Sequence, residues 1–144
     1  MKIDNIDIEI TKIMEEDGRI SINEIASKLS ISEGTARNRF KKLTDNDFLK
    51  VKGLVNPDRN KIKQTIYILV TLQRNDNWLI AGEKMSTLPD VKSVSMVTGR
   101  FHFIVELFID PHSLIDFLTK ELPSIGEIAF TESLVTVRNF NKWV

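Results

Sequence analysis

The sequence predicts an α+β chain in two parts, an all-helical amino-terminal part and a carboxy-terminal part that mixes strands with helices. Three observations predict it. Between Asp4 and Asp45, apolar side chains recur at helical spacing in three short segments. After about Thr65 the chain becomes rich in β-branched residues, with four strand-like segments and two helical ones between them. The polar, turn-forming run Asn56-Pro57-Asp58-Arg59-Asn60-Lys61 separates the two parts. The expected division is residues 1–54 for the first domain, 55–63 for a linker and 64–144 for the second.

The elements of the first part follow from their caps. Ile6, Ile10, Ile13 and Met14 form one stripe, and Asp4 stands where a side-chain oxygen can cap free amides, which predicts a helix from Asp4 to about Glu16. Asp17-Gly18 stops it. Ser21 and Glu24 have capping-box spacing and open a second helix with Ile22, Ile25, Ala26 and Leu29 on one side. A tight connection, Ser30-Ile31, leads to Ser32, the cap of a third helix from about Glu33 to Asp45.

In that third helix Ala36, Phe40 and Leu43 point inward at i, i+4 and i+7. Gly34, Thr35, Asn38, Lys41 and Lys42 therefore point outward, with Arg37 and Arg39 on the flanks. A basic helical face by itself usually does no more than solvate a surface. A capped short helix, a tight turn and a basic second helix together make the helix-turn-helix that lays one helix in the major groove of duplex DNA. The alternation in Phe48–Val55 then predicts two short strands forming a wing, with Lys50 and Lys52 on one side. Within this winged helix-turn-helix, Asn38 suits adenine and Arg37 or Arg39 suits guanine. Ser32, Lys41, Lys42, Lys50 and Lys52 are placed for phosphates, and Thr35 shares the outward face.

In the second part, Thr65–Gln73 is a strand with Ile66, Ile68, Val70 and Leu72 on one face. Asp76–Leu88 reads as a helix carrying Leu79, Met85 and Leu88, and Val91–Thr98 as a second strand. Phe101–Ile109 alternates Phe101, Phe103, Val105, Leu107 and Ile109 against His102, Ile104, Glu106 and Phe108. A helix opening at Asp110 or Pro111, with Leu114, Phe117, Leu118 and Leu122 on one side, precedes a last strand within Glu127–Arg138. This βαββαβ order is that of the ferredoxin-like split sandwich, an antiparallel sheet with both helices on one face. Its other face, bearing Tyr67, Ile104 and Phe108, is left without a cover, and a second copy of the chain is the simplest remedy.

These residues resemble the leucine-responsive and asparagine-regulator (Lrp/AsnC) family of transcription regulators over nearly the whole length. The likeness is carried by Ile3-Asp4-Asn5-Ile6-Asp7, Asp17-Gly18-Arg19-Ile20-Ser21, Leu29-Ser30-Ile31-Ser32 with Arg37, Arg39 and Leu43, Val97-Thr98-Gly99, and Phe130-Thr131-Glu132-Ser133-Leu134-Val135. The resemblance implies sequence-specific binding of double-stranded promoter DNA. It implies a homodimer, often built into tetramers or octamers, with a RAM or ACT-like carboxy-terminal domain. It also implies an amino acid or related metabolite as effector, held near Thr98, Gly99, Arg100, Phe101 and His102 with help from Thr131, Glu132 and Ser133. Such relatives commonly carry an acidic residue three positions after the turn glycine, where this chain has His102, so an α-amino group would lack a counter-charge there. The alternative for His102 is a partly buried strand histidine at an oligomer interface.

Composition narrows the rest. Twenty basic residues balance twenty acidic ones, which argues against an architectural protein that coats DNA by bulk charge. With zero cysteines there is no disulfide or thiolate metal site, and no apolar run approaches the roughly 20 residues of a membrane span. A cytoplasmic protein without membrane contact or cofactor is the expectation. Its two histidines stand apart, and no phosphate loop or carboxylate cluster suggests an enzyme.

Overall fold

Helix α1 spans Asn5–Glu16, α2 Ile22–Leu29 and α3 Glu33–Asp45 in the computed structural model, which describes residues 2–73 and 77–144. The chain divides into two compact units, Met1–Gly53 and Leu54–Val144. Met1 and Asp76, the latter expected to open a helix, lie outside the described residues.

Each helix of the first unit starts where its cap dictates. Asp4 accepts from the Asp7 amide while the Asp7 carboxylate accepts from the Asp4 amide, and Ser21 and Glu24 do the same for α2. Ser30 ends α2 in the left-handed conformation at φ 53°, and the Ile31 amide reaches back to the Ala26 carbonyl at 3.0 Å. That geometry turns the chain sharply, and Ser32 begins the next helix at once. Ile10, Met14, Ile25, Ala26, Ala36 and Leu43 form the core, with Phe40, Leu29 and Leu49 packed against it.

The wing expected over Phe48–Val55 does not form. Residues 50–55 belong to no strand ladder. Their alternation favours a pleated backbone, yet a strand exists only where a neighbour supplies hydrogen bonds. The amides of Phe48 and Leu49 are taken by the Leu43 carbonyl at the end of α3, and Val55 exchanges both backbone bonds with Val144 at 2.9 and 3.1 Å.

In the second unit, β1 (Gln64–Leu72), β2 (Val91–Met96), β3 (Phe103–Ile109) and β4 (Ile128–Val135) make one antiparallel sheet in the order β2-β3-β1-β4. Helix α4 (Trp78–Ser86) is capped by Asn77. The second helical segment is a composite: a 3-10 turn Pro111–Ser113, the α turn Leu114–Asp116, a π turn Phe117–Glu121 and a 3-10 turn Leu122–Ile125. Pro123 accounts for the departure from a regular helix, because its ring would clash with the carbonyl four residues back. Widening the preceding turn, with the Leu122 amide bonded to Phe117 O, relieves that clash.

The core of this unit joins Ile66, Ile68, Val70 and Leu72 of β1 to Phe103, Val105, Leu107 and Ile109 of β3. Ala81 and Met85 of α4 cover them together with Phe117, Leu122 and Ile125. Of the apolar residues that the helix carries, Leu79 is exposed, and Ala81 takes an inward position with Met85. The opposite face is not bare, as expected, but partly covered by the chain's own tail, where Lys142 Nζ stands 2.7 Å from Glu106 Oε1.

Gly82 shows how closely α4 sits on the sheet, since a Cβ there would lie 3.1 Å from Phe103 Cε1. Gly82→Ala gains up to about 1 kcal/mol of helix propensity but forces a wholly buried ring, for a net loss of about 1 kcal/mol. In a Phe103→Leu background the same change is expected to stabilise. Urea unfolding of the four variants checks the reversal of sign.

Candidate nucleic-acid interface

The sequence places four basic residues on α3, and the fold sorts them into two pairs. Arg39 donates to Asp4 Oδ2 at 2.6 Å and to Asp7 Oδ1 at 3.0 Å. Lys42 donates to Asp7 Oδ2 at 2.9 Å and to the Lys2 carbonyl at 2.8 Å. Both were expected to face DNA. They instead bind α3 to the start of α1, because Asp7 is entirely buried and both its oxygens need donors. Burial pushes the Asp7 carboxyl up, but the hydrogen bonds from Lys42, Arg39 and the Asp4 amide outweigh it and hold the group below the ordinary carboxylate range. Asp4 is likewise lowered, chiefly by Arg39.

Arg37, Asn38 and Lys41 remain on the outer face of α3, all exposed, beside Thr35 and Gly34. Arg37 pairs with Glu33 one turn earlier on the same face. Ser32 and Thr35 share one hydroxyl–hydroxyl bond of 2.8 Å, while Ser32 Oγ accepts the Thr35 amide at 3.1 Å. One hydroxyl hydrogen of the pair is therefore free to donate outward. Lys50 and Lys52 are exposed on the segment after α3.

Reading residue by residue missed Asp7 as the centre of this arrangement and Glu33 as the partner of Arg37. Both signals were present: an acid three residues after the Asp4 cap, and an acid four residues before an arginine on one helix.

The residues expected to hold an effector are only partly brought together. Gly99 turns the chain at φ 119°, a conformation that favours glycine. Arg100 lies over the rings of Phe101 and Phe130, at 5.3 and 5.9 Å, and those rings stack at 6.1 Å. Thr131, Glu132 and Ser133 pair with Val70, Leu69 and Ile68, so Glu132 points to the opposite face from Thr131 and Ser133. His102 is committed to the fold. Its Nδ1 accepts the Leu72 amide at 3.1 Å, its backbone bonds Val70 and Val97, and its ring stacks on Trp78 at 4.1 Å.

Two clefts open on this unit. One of about 680 Å³ is lined by residues including Lys61, Gln64, His112 and Asn139. The other, of about 270 Å³, is lined by Trp78, Glu83, Val94 and Phe103 among others. Neither is lined by any of the turn or β4 residues expected to hold an effector. Among the described residues no cluster of three or more acidic or histidine side chains could hold a metal, and no helix is long and apolar enough to cross a membrane.

Two short helices set across a tight turn, the second presenting a polar basic face, define a helix-turn-helix DNA-binding protein, here followed by a βαββαβ sheet domain. Residues 3–44 match the AsnC-type helix-turn-helix domain. An HTH-type transcriptional regulator of Pyrococcus furiosus is 30% identical over 143 residues, which cover 98% of this chain and 95% of that one. The leucine response regulatory protein of Mycobacterium tuberculosis has a similar structure, with a TM-score of 0.84 at 17% identity over 97% of this chain and 96% of the other. So does a transcriptional regulator of Neisseria meningitidis solved as a complex with L-Met, with a TM-score of 0.74 at 19% identity over 98% and 94%. The chain belongs to the Lrp/AsnC family: it is a DNA-binding transcription regulator and not an enzyme.

Proposed function

We propose that the protein reads promoter DNA as a dimer, with the outer face of α3 from each copy in successive major grooves about one helical turn apart. Arg37 and Asn38 contact base edges. Lys41, Lys50, Lys52 and the Ser32–Thr35 hydroxyl pair contact phosphates. The observation that carries this reading is the sorting of α3, in which Arg37, Asn38 and Lys41 point outward while Arg39 and Lys42 are consumed within the unit.

Pairing of two copies is supported by the sheet face away from the helices, where Phe130 and Leu134 are nearly half exposed beside Tyr67 and Leu69. An effector is the second part of the proposal. The turn 98–102 offers Arg100 as its charged group, so a ligand there presents a carboxylate, and the acid that would balance an α-amino group is replaced by His102, whose Nδ1 is occupied. The L-Met of the Neisseria protein gives the size class of such a ligand.

Fluorescence anisotropy of labelled duplex from the protein's own promoter region, with excess random duplex as competitor, tests the reading. Arg37→Ala and Asn38→Ala are each expected to weaken specific binding by about 1–3 kcal/mol. Lys41→Ala is expected to weaken binding to all sequences alike and to lower the salt slope by about one. Equal affinity for the promoter and random duplexes would overturn sequence-specific reading.

A further inference from the structure

Glu33 is an acid on a surface that must approach phosphates, and its carboxylate is held by the Arg37 guanidinium one turn along α3. Both side chains are solvent-exposed, at 48% and 63%, so the pair itself adds little to stability. A negative charge in this position lowers affinity for every DNA sequence. As the acid in the first turn of α3, Glu33 is favoured by the helix dipole, but that role does not require it to touch Arg37.

What the pair does is restrict Arg37. A free arginine side chain samples many rotamers and loses that freedom on reading a base. Glu33 engages one terminal nitrogen of the fork and leaves the other N–H donors of the guanidinium for a guanine edge, which needs two of them. An arginine held this way is prepared for one geometry. It is also less able to swing aside and bond a nearby phosphate, which is the contact that carries no sequence information.

We infer that Glu33 is a positioning residue that sets base discrimination by Arg37, exchanging general affinity for specificity; this rests on the reading of α3 as the base-reading helix. Neighbouring residues fit the assignment. Asn38 and Lys41 are exposed on the same outer face of α3 as Arg37 and Glu33.

The test is a double-mutant cycle in full-length protein, using Glu33→Gln, Arg37→Ala and the double variant, against own-promoter and random duplexes at several salt concentrations. Glu33→Gln is expected to tighten random-duplex binding and to steepen the salt slope by up to about one unit. It is expected to lower the ratio of specific to random affinity roughly tenfold. In the Arg37→Ala background the ratio is expected not to respond to Glu33→Gln. A ratio that stays constant with Glu33→Gln alone, or falls equally without Arg37, overturns the assignment of Glu33. Wild-type protein that fails to distinguish the two duplexes overturns the reading of α3 and this assignment with it.

Discussion

Asp7→Ala is expected to lower the stability of the amino-terminal unit by about 2–3 kcal/mol. Removing one partner of a buried ion pair costs about 3–5 kcal/mol when the remaining charge is stranded. Here the stranded groups, Arg39 and Lys42, are 26% and 39% exposed and can turn to water, which discounts that figure. Loss of the capping box adds to it. The unit ends near Gly53, and a domain this small has only a few kcal/mol in hand, so the variant should be extensively unfolded at 37 °C. Thermal unfolding followed by circular dichroism measures it, and a loss below about 1 kcal/mol would mean that the network is not holding α3 to α1.

The same carboxylates give the fold an acid limit. Asp4 and Asp7 both titrate below their ordinary values in the folded protein. Their charged forms therefore contribute stability that is complete above the unfolded carboxylate range, near pH 4, and is lost as pH falls through the lower folded values. Asp7→Ala should flatten this acid dependence in the amino-terminal unit.

Phe103→Ala is expected to cost the second unit about 3–5 kcal/mol. The ring is 1% exposed, pairs with Val70 on one side and Met96 on the other, and underlies α4 at Gly82. No neighbour can follow the truncated side chain without moving the helix, so most of the cavity remains. Ile115→Ala, at a position 71% exposed, should stay within about 0.5 kcal/mol. Urea unfolding of both variants tests the contrast, and similar losses would mean that the core at Phe103 collapses freely.

What could be read from the sequence was local. Asp4, Ser21 and Ser32 each fix a helix start through bonds within three residues, so α1, α2 and α3 were expected almost to the residue. The alternation of Phe103, Val105, Leu107 and Ile109 likewise identified a buried strand face. The failures depend on partners far along the chain. The helical wheel puts Lys42 on the outward face of α3 and Arg39 on its flank, and only Asp7, on another helix, decides that both are drawn into ion pairs within the unit. Nothing near Val55 announces that its backbone will pair with Val144 rather than fold back on Phe48. The second face of the sheet looked bare because Lys142 gives no local sign that it will pair with Glu106. The Glu33–Arg37 pair is local, an acid and an arginine four residues apart on one helix, and is legible from spacing alone.

The central place of β1 bears on how the chain is made. Synthesis runs from the amino terminus, and the contacts of the helical unit close among residues that emerge together, so that unit can fold while the rest is still on the ribosome. The next long apolar segment to emerge is β1, whose two edges wait for β3 and β4, both made later. During that interval Ile66, Ile68 and Val70 face water on a strand with unpaired edges, the condition in which nascent chains stick to one another. The same placement that later pairs β1 on both edges makes it the segment of the new chain most in need of protection.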